Sequence, residues 1–146
     1  MLLYRVPKEG GGHWKFVFAG DSDDHSWDYI IERYSPDVSN IDVLFAPHHG
    51  RDSNRNYDFL KTLNPRVTLL GNASSKHLAY SCYPGPPKIR ITNNQACYVV
   101  IDASATALTF YVKNFDFARD FKSKRGWPAP AFHSGFNAYG LFKFDA

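Results

Sequence analysis

At 146 residues the chain is long enough for one ordinary domain with a sizeable core and too short for two comfortable ones. Hydrophobic residues at 44% and charged residues at 21% are globular values, whereas an aromatic content of 16%, with 12 Phe and 9 Tyr, is a surplus that points to a surface meant to be covered. The formal net charge of +3 is mild and only Lys122, Lys124 and Arg125 stand close together, so electrostatics alone carry no argument for nucleic-acid binding.

Cys82 and Cys97 belong to no CxxC or Cys/His cluster, which argues against a zinc ribbon and a disulfide framework and suggests buried, reduced thiols. No stretch approaches the roughly 20 apolar residues a membrane span needs. The N-terminal run Met1 to Val6 is short and lacks the basic flank and cleavage site of a signal peptide. A cytoplasmic chain with no membrane attachment is the expectation.

Leu2 to Val6 reads as a short strand, and the glycine-rich stretch Pro7 to His13 supplies a turn before a second apolar run, Trp14 to Ala19. The simplest product is an antiparallel hairpin. Gly20-Asp21 ends the second strand, and Ser22 or Asp23 can cap a following helix. Trp27, Ile30, Ile31 and Tyr34 fall on one helical face, with Ser35-Pro36 as the stop. Ile41 to Ala46 has the compact apolar character of a buried central strand and delivers the chain to Pro47-His48-His49-Gly50. Arg51 to Asn56 is a polar loop, Tyr57 to Leu63 a short helix closed by Asn64-Pro65, and Arg66 to Leu70 the next strand. Alternating strands and helices imply parallel strands joined by right-handed crossovers, with functional loops at one edge of the sheet.

Ala73 to Lys88 has no sustained period and is expected to be mostly loop, with Ile89 to Thr92 as a short edge strand. Ala96 to Ala103 and Ala107 to Lys113 are β-branched and aromatic runs that should close as a hairpin, and Phe115 to Lys124 suits a short helix. The tail from Gly126 to Ala146 shows no clear period and should drape over the body or meet a partner. The fold class expected is α/β, a mixed sheet with helices on one face plus an irregular aromatic C-terminal tail.

Chemistry is most concentrated at two strand ends. Asp21 follows a strand and a glycine, so its carboxylate should stand at the carboxyl edge of the sheet, where a cation could be held; the plainer alternative is a helix-capping aspartate. Consecutive histidines directly after a buried strand and before a glycine are unusual outside metal or phosphate sites. His48 and His49 should point in different directions, one ligating and the other contacting substrate or a neighbouring carboxylate, and the sequence does not say which. Among the lone histidines, His77 is best placed to reach the same edge.

Phe18-Ala19-Gly20-Asp21, then Ile41 to Gly50, then Phe59-Leu60 and Asn64-Pro65-Arg66-Val67, together resemble the second half of a metallo-β-lactamase-fold hydrolase. The nearest branch is similar to the hydrolase-like domain of bacterial competence DNA-uptake channel proteins. The resemblance covers roughly residues 1–113, leaving 114–146 as a C-terminal helix and tail that packs on the domain or a partner. It implies that Asp21 bridges two metals, that His48 or His49 is a histidine ligand, and that Asn72 and His77 contact substrate. It also implies a zinc or manganese cofactor, dinuclear in the family, and a catalytic role for Asp21 and His49. Phosphoesters are the substrates it favours, since that branch handles nucleic acid.

The first-half H-x-H-x-D-H motif that supplies most of the family's metal ligands does not occur in this chain. Half of an αββα sandwich would leave one face of its sheet open, and the aromatic surplus suits such a face. The chain is therefore expected to be part of a metal-dependent hydrolase, inactive alone and completed by a polypeptide or segment supplying the missing half. The alternative is a non-catalytic interaction module, a homodimer pairing its open sheet faces.

Overall fold

The computed structural model describes the backbone of residues 1–146 and every side chain except that of Ser75. The chain divides into two compact units, the first formed by Met1–Arg5 with Lys15–Thr92 and the second by Val6–Trp14 with Asn93–Ala146. The protein is α/β, with a mixed sheet in the first unit and an aromatic cluster towards the C-terminus. Among the described residues no helix is long and apolar enough to cross a membrane.

Strands β1 (Leu2–Pro7), β2 (His13–Phe18), β3 (Val43–Phe45), β4 (Val67–Leu70) and β5 (Ile89–Thr92) lie side by side in sequence order. Pairs β2/β3, β3/β4 and β4/β5 are parallel. The β1–β2 connection is too short for a crossover, so β1 runs antiparallel to its neighbour. Helices α1 (Asp24–Val38) and α2 (Phe59–Leu63) make the crossovers between the first parallel strands.

The register assigns the faces. Val17 and Leu44 are paired across β2 and β3 and join Trp27, Phe59, Leu60 and Leu63 of the helices in one buried cluster. Trp27 and Phe59 stack with ring centroids 4.4 Å apart, which locks α1 to α2. The opposite face carries Phe16, Val43, Val67 and Ile89 in one row and Phe18, Phe45, Leu69 and Ile91 in the next. An open face was the expectation for a half-sandwich, and it is corrected here: Phe16, Val43, Val67, Leu69, Ile89 and Ile91 are all buried. Only the corner formed by Leu2, Tyr4 and Phe18 stays exposed.

Cys82 and Cys97 are both exposed, which corrects the expectation of buried thiols. Two further differences have local causes. Pro36 does not end α1, which continues to Val38 across a kink at Tyr34 (φ −129°, ψ 17°). Proline lacks the N–H and crowds the preceding turn, so the helix breaks two residues earlier, at Tyr34, and Pro36 sits in the opening turn of a second short segment. The tail is also more regular than its sequence suggests. In the second unit β6 (Val99–Ala103), β7 (Ala107–Val112), β8 (Phe132–His133) and β9 (Ala138–Asp145) form a four-stranded sheet in the order β6-β7-β9-β8. Helices α3 (Asn93–Ala96) and α4 (Phe115–Ser123) belong to the same unit.

Strand β9 pairs Phe142 with Phe110 but Gly140 with Tyr111, so Leu141 is an extra residue that shifts the alternation by one. That bulge hides the period of two from a reading of the sequence. Phe142 stacks on Phe110 at 4.5 Å and on Phe121 at 5.8 Å, which places part of the aromatic surplus inside this unit.

Candidate functional site

The Ala46-Pro47-His48-His49-Gly50 corner is made of three consecutive residues in the left-handed region, His48 (φ 50°), His49 (φ 58°) and Gly50 (φ 79°). For a residue with a Cβ this conformation costs about 1–2 kcal/mol, so the surroundings must enforce it. They do so through the backbone. The His48 N–H donates to the Gly20 carbonyl at 2.8 Å, the Gly71 N–H to the His49 carbonyl at 3.0 Å, and the Ala79 N–H to the Gly50 carbonyl at 3.0 Å. The corner is thus tied to the turns that follow β2 and β4, at the carboxyl edge where a parallel sheet presents its loops.

The glycines are required by contact. A Cβ on Gly50 would stand 2.3 Å from Leu70 Cδ2, and one on Gly71 would stand 2.8 Å from the Cβ of His49. Gly71 therefore gives His49 its seat.

The left-handed turn sends the two imidazoles to different sides. His49 lines a groove of about 250 Å³ together with Phe18, Ala19, Gly20, Asp21, Phe45 and Ala46. His48 lines a separate depression of about 360 Å³ with Asp23, Asp24, His25, Ser53, Asn54 and Arg55. Divergence of the pair agrees with the expectation, and the geometry associates Asp21 with His49 rather than with His48. Both Asp21 and His49 are exposed, and among the described residues neither side chain has a hydrogen-bond partner.

The alternative role for Asp21 is taken by a neighbour. Asp23 is the residue that caps α1, its carboxylate accepting from the Ser26 N–H at 2.8 Å and the Ser26 hydroxyl at 2.6 Å. Those two bonds hold the Asp23 carboxyl below the usual aspartate range. Asp21 is left with no capping function.

Asn72 and His77 are exposed and line neither depression. Asn72 follows Gly71 directly after β4, while the His77 carbonyl accepts the Asp52 N–H at 2.8 Å and so fastens the polar loop after the corner. Among the described residues no group of three or more His, Cys, Asp or Glu is placed to hold a metal ion. Asp21 and His49 supply two donor types that zinc accepts, against the three or so protein ligands of a catalytic zinc. They fit one side of such a centre and not the whole of it.

Two features escaped the sequence reading. One is the stack of Phe18 on Phe45, centroids 4.1 Å apart at 14°, beside the Asp21 groove. Its signal was present in the matching positions of two apolar runs, but only the parallel register makes them neighbours. The other is Arg55, which donates to the Ser22 carbonyl at 2.8 Å and closes the His48 depression from a loop with no periodic pattern. No family model, curated protein or solved structure matches the chain.

Proposed function

We propose that this chain contributes one side of a metal-dependent hydrolase centre, with Asp21 and His49 as its donors, and is inactive until the other side is supplied. The observation that carries the reading is the groove itself. A carboxylate and an imidazole, both free of internal partners, face it from adjacent strand ends, and a strained corner is maintained to keep the imidazole there. Backbone strain of this kind clusters at functional positions because packing alone has no use for it.

Two donors do not hold a catalytic zinc or manganese, so no reaction step is assigned to the chain by itself. The partner in this reading is a polypeptide or segment that brings further histidine and carboxylate ligands to the same edge. Phosphoester hydrolysis is the family chemistry carried over from the resemblance, and it is an analogy of fold.

The test is metal content and hydrolysis, measured on the purified chain and again with the polypeptide encoded immediately upstream. Stoichiometric zinc or manganese in the combined sample only, lost in Asp21→Ala and His49→Ala and retained in His48→Ala, is the expected outcome. No metal in the combined sample refutes the reading. In that case the non-catalytic interaction module stands, and the exposed Leu2, Tyr4 and Phe18 corner is its best contact surface.

A further inference from the structure

The groove beside Asp21 and the depression around His48 are chemically opposite. The depression has two carboxylates, two imidazoles and a guanidinium among its lining residues. The groove is walled by Phe18, Ala19, Phe45 and Ala46, and Asp21 and His49 are its only ionisable lining groups. Phe18 and Phe45 are register partners in β2 and β3, and their rings stack one over the other, centroids 4.1 Å apart at 14°. Phe18 keeps 37% of its surface in solvent, which leaves it surface for contact with a further ring.

Size and charge narrow the occupant. An apolar cavity of about 150 Å³ takes benzene, so a groove of about 250 Å³ takes a substituted ring. A phosphodiester chain needs ammonium or guanidinium groups along its track. Among the described residues no Lys or Arg lines this groove, whereas Asp21 does. A neutral ring gives up unfavourable hydration and gains a stack, with no charge to compensate.

We infer that the groove is a binding subsite for a planar, uncharged aromatic group of the substrate, set beside the reacting centre. The reaction assigned to that centre rests on the hydrolase reading; the binding of the ring does not. The subsite selects an aryl or arylacyl compound over a nucleic acid strand, which departs from the phosphoester chemistry suggested by analogy.

The experiment uses the full chain alone with 2-naphthol and 2-naphthyl phosphate as probes, followed by amide chemical shifts. Expected are saturable shifts at Gly20, Asp21, Ala46 and His49 with 2-naphthol, and at least tenfold weaker binding of the phosphate. Phe18→Ala should weaken naphthol binding about tenfold, and Phe18→Leu, which keeps apolar volume without the flat face, about threefold. Equal or tighter binding of the phosphate, shifts elsewhere, or no effect of either Phe18 change would overturn the inference. Naphthol binding without hydrolysis in the combined sample refutes the hydrolase reading and leaves the subsite. Hydrolysis by the combined sample with no naphthol binding does the reverse.

Discussion

Replacing Gly50 by alanine tests whether the corner is held as rigidly as its contacts imply. The new Cβ would lie 2.3 Å from Leu70 Cδ2, and Leu70 is fully buried, so that methyl has to be displaced within a packed site. Two costs add. The left-handed φ of +79° costs an L-residue about 1–2 kcal/mol, and forcing a methyl into a packed site costs about 1–3 kcal/mol. Restricting the unfolded chain returns about 0.4–1 kcal/mol. The net loss is about 1–4.6 kcal/mol, which at a urea slope of about 2 kcal/mol per molar moves the unfolding midpoint down by about 0.5–2.3 M. Gly12→Ala is the control, because its φ of +78° is equivalent but nothing lies within 4 Å of the added carbon. It should lose about 1 kcal/mol or less. In a double-mutant cycle, Leu70→Ala should relieve Gly50→Ala, so that the double variant loses less than the sum of the two single losses. Urea titrations followed by circular dichroism measure the parent and the four variants. If Gly50→Ala loses no more than Gly12→Ala, the seat against Leu70 is not what fixes the corner.

Asp23 gives a pH signature. Its folded carboxyl titrates below the unfolded value of 3.8, so the stabilisation is complete above that value and disappears as pH falls through the lower folded one. Asp23→Ala should therefore be less stable than the parent at pH 7 and indistinguishable from it at the acid end of the range, while Asp23→Asn, whose amide oxygen accepts at every pH, should be close to the parent at pH 7 and more stable than it at the acid end. Tyr83 is buried with a hydroxyl that has no hydrogen-bond partner among the described residues, and burial raises its pKa. Tyr83→Phe should be neutral or stabilising by up to about 1 kcal/mol in thermal unfolding, since it removes an unpaired polar atom. The parent should also lose stability relative to this variant as pH rises past 10, where the unfolded phenol ionises and the folded one does not.

What the sequence made legible was whatever depends on local pattern. The apolar run ending in Ala46, the periodic face of Trp27, Ile30 and Ile31, and the alternation of strands with helices were enough for the parallel sheet and the edge where its loops gather. What depended on tertiary contact was not legible. The consecutive left-handed conformations of His48 and His49 are held by hydrogen bonds to Gly20 and Gly71, residues 28 and 22 positions away in the chain, and His49 is the imidazole that shares a groove with Asp21. Strand β9 was hidden because the bulge at Leu141 interrupts its alternation, and the Pro36 stop was overridden because a kink at Tyr34 accommodates the ring. The aromatic surplus is divided: Phe110 and Phe121 are buried in the second unit with the half-buried Phe142 stacked on both, whereas Phe18, Tyr98, Phe115, Trp127 and Phe132 stay exposed.

The central claim is that Asp21 and His49, and not His48, form the metal-facing side of this edge. Titrating the chain alone with Mn²⁺ and mapping paramagnetic broadening of its amide signals examines that claim without any missing half. Weak binding with broadening centred on Gly20, Asp21 and His49, abolished by Asp21→Ala and unchanged by His25→Ala, is the result predicted. Broadening centred on Asp23, Asp24 and His25 around His48, or none at millimolar Mn²⁺, would contradict it.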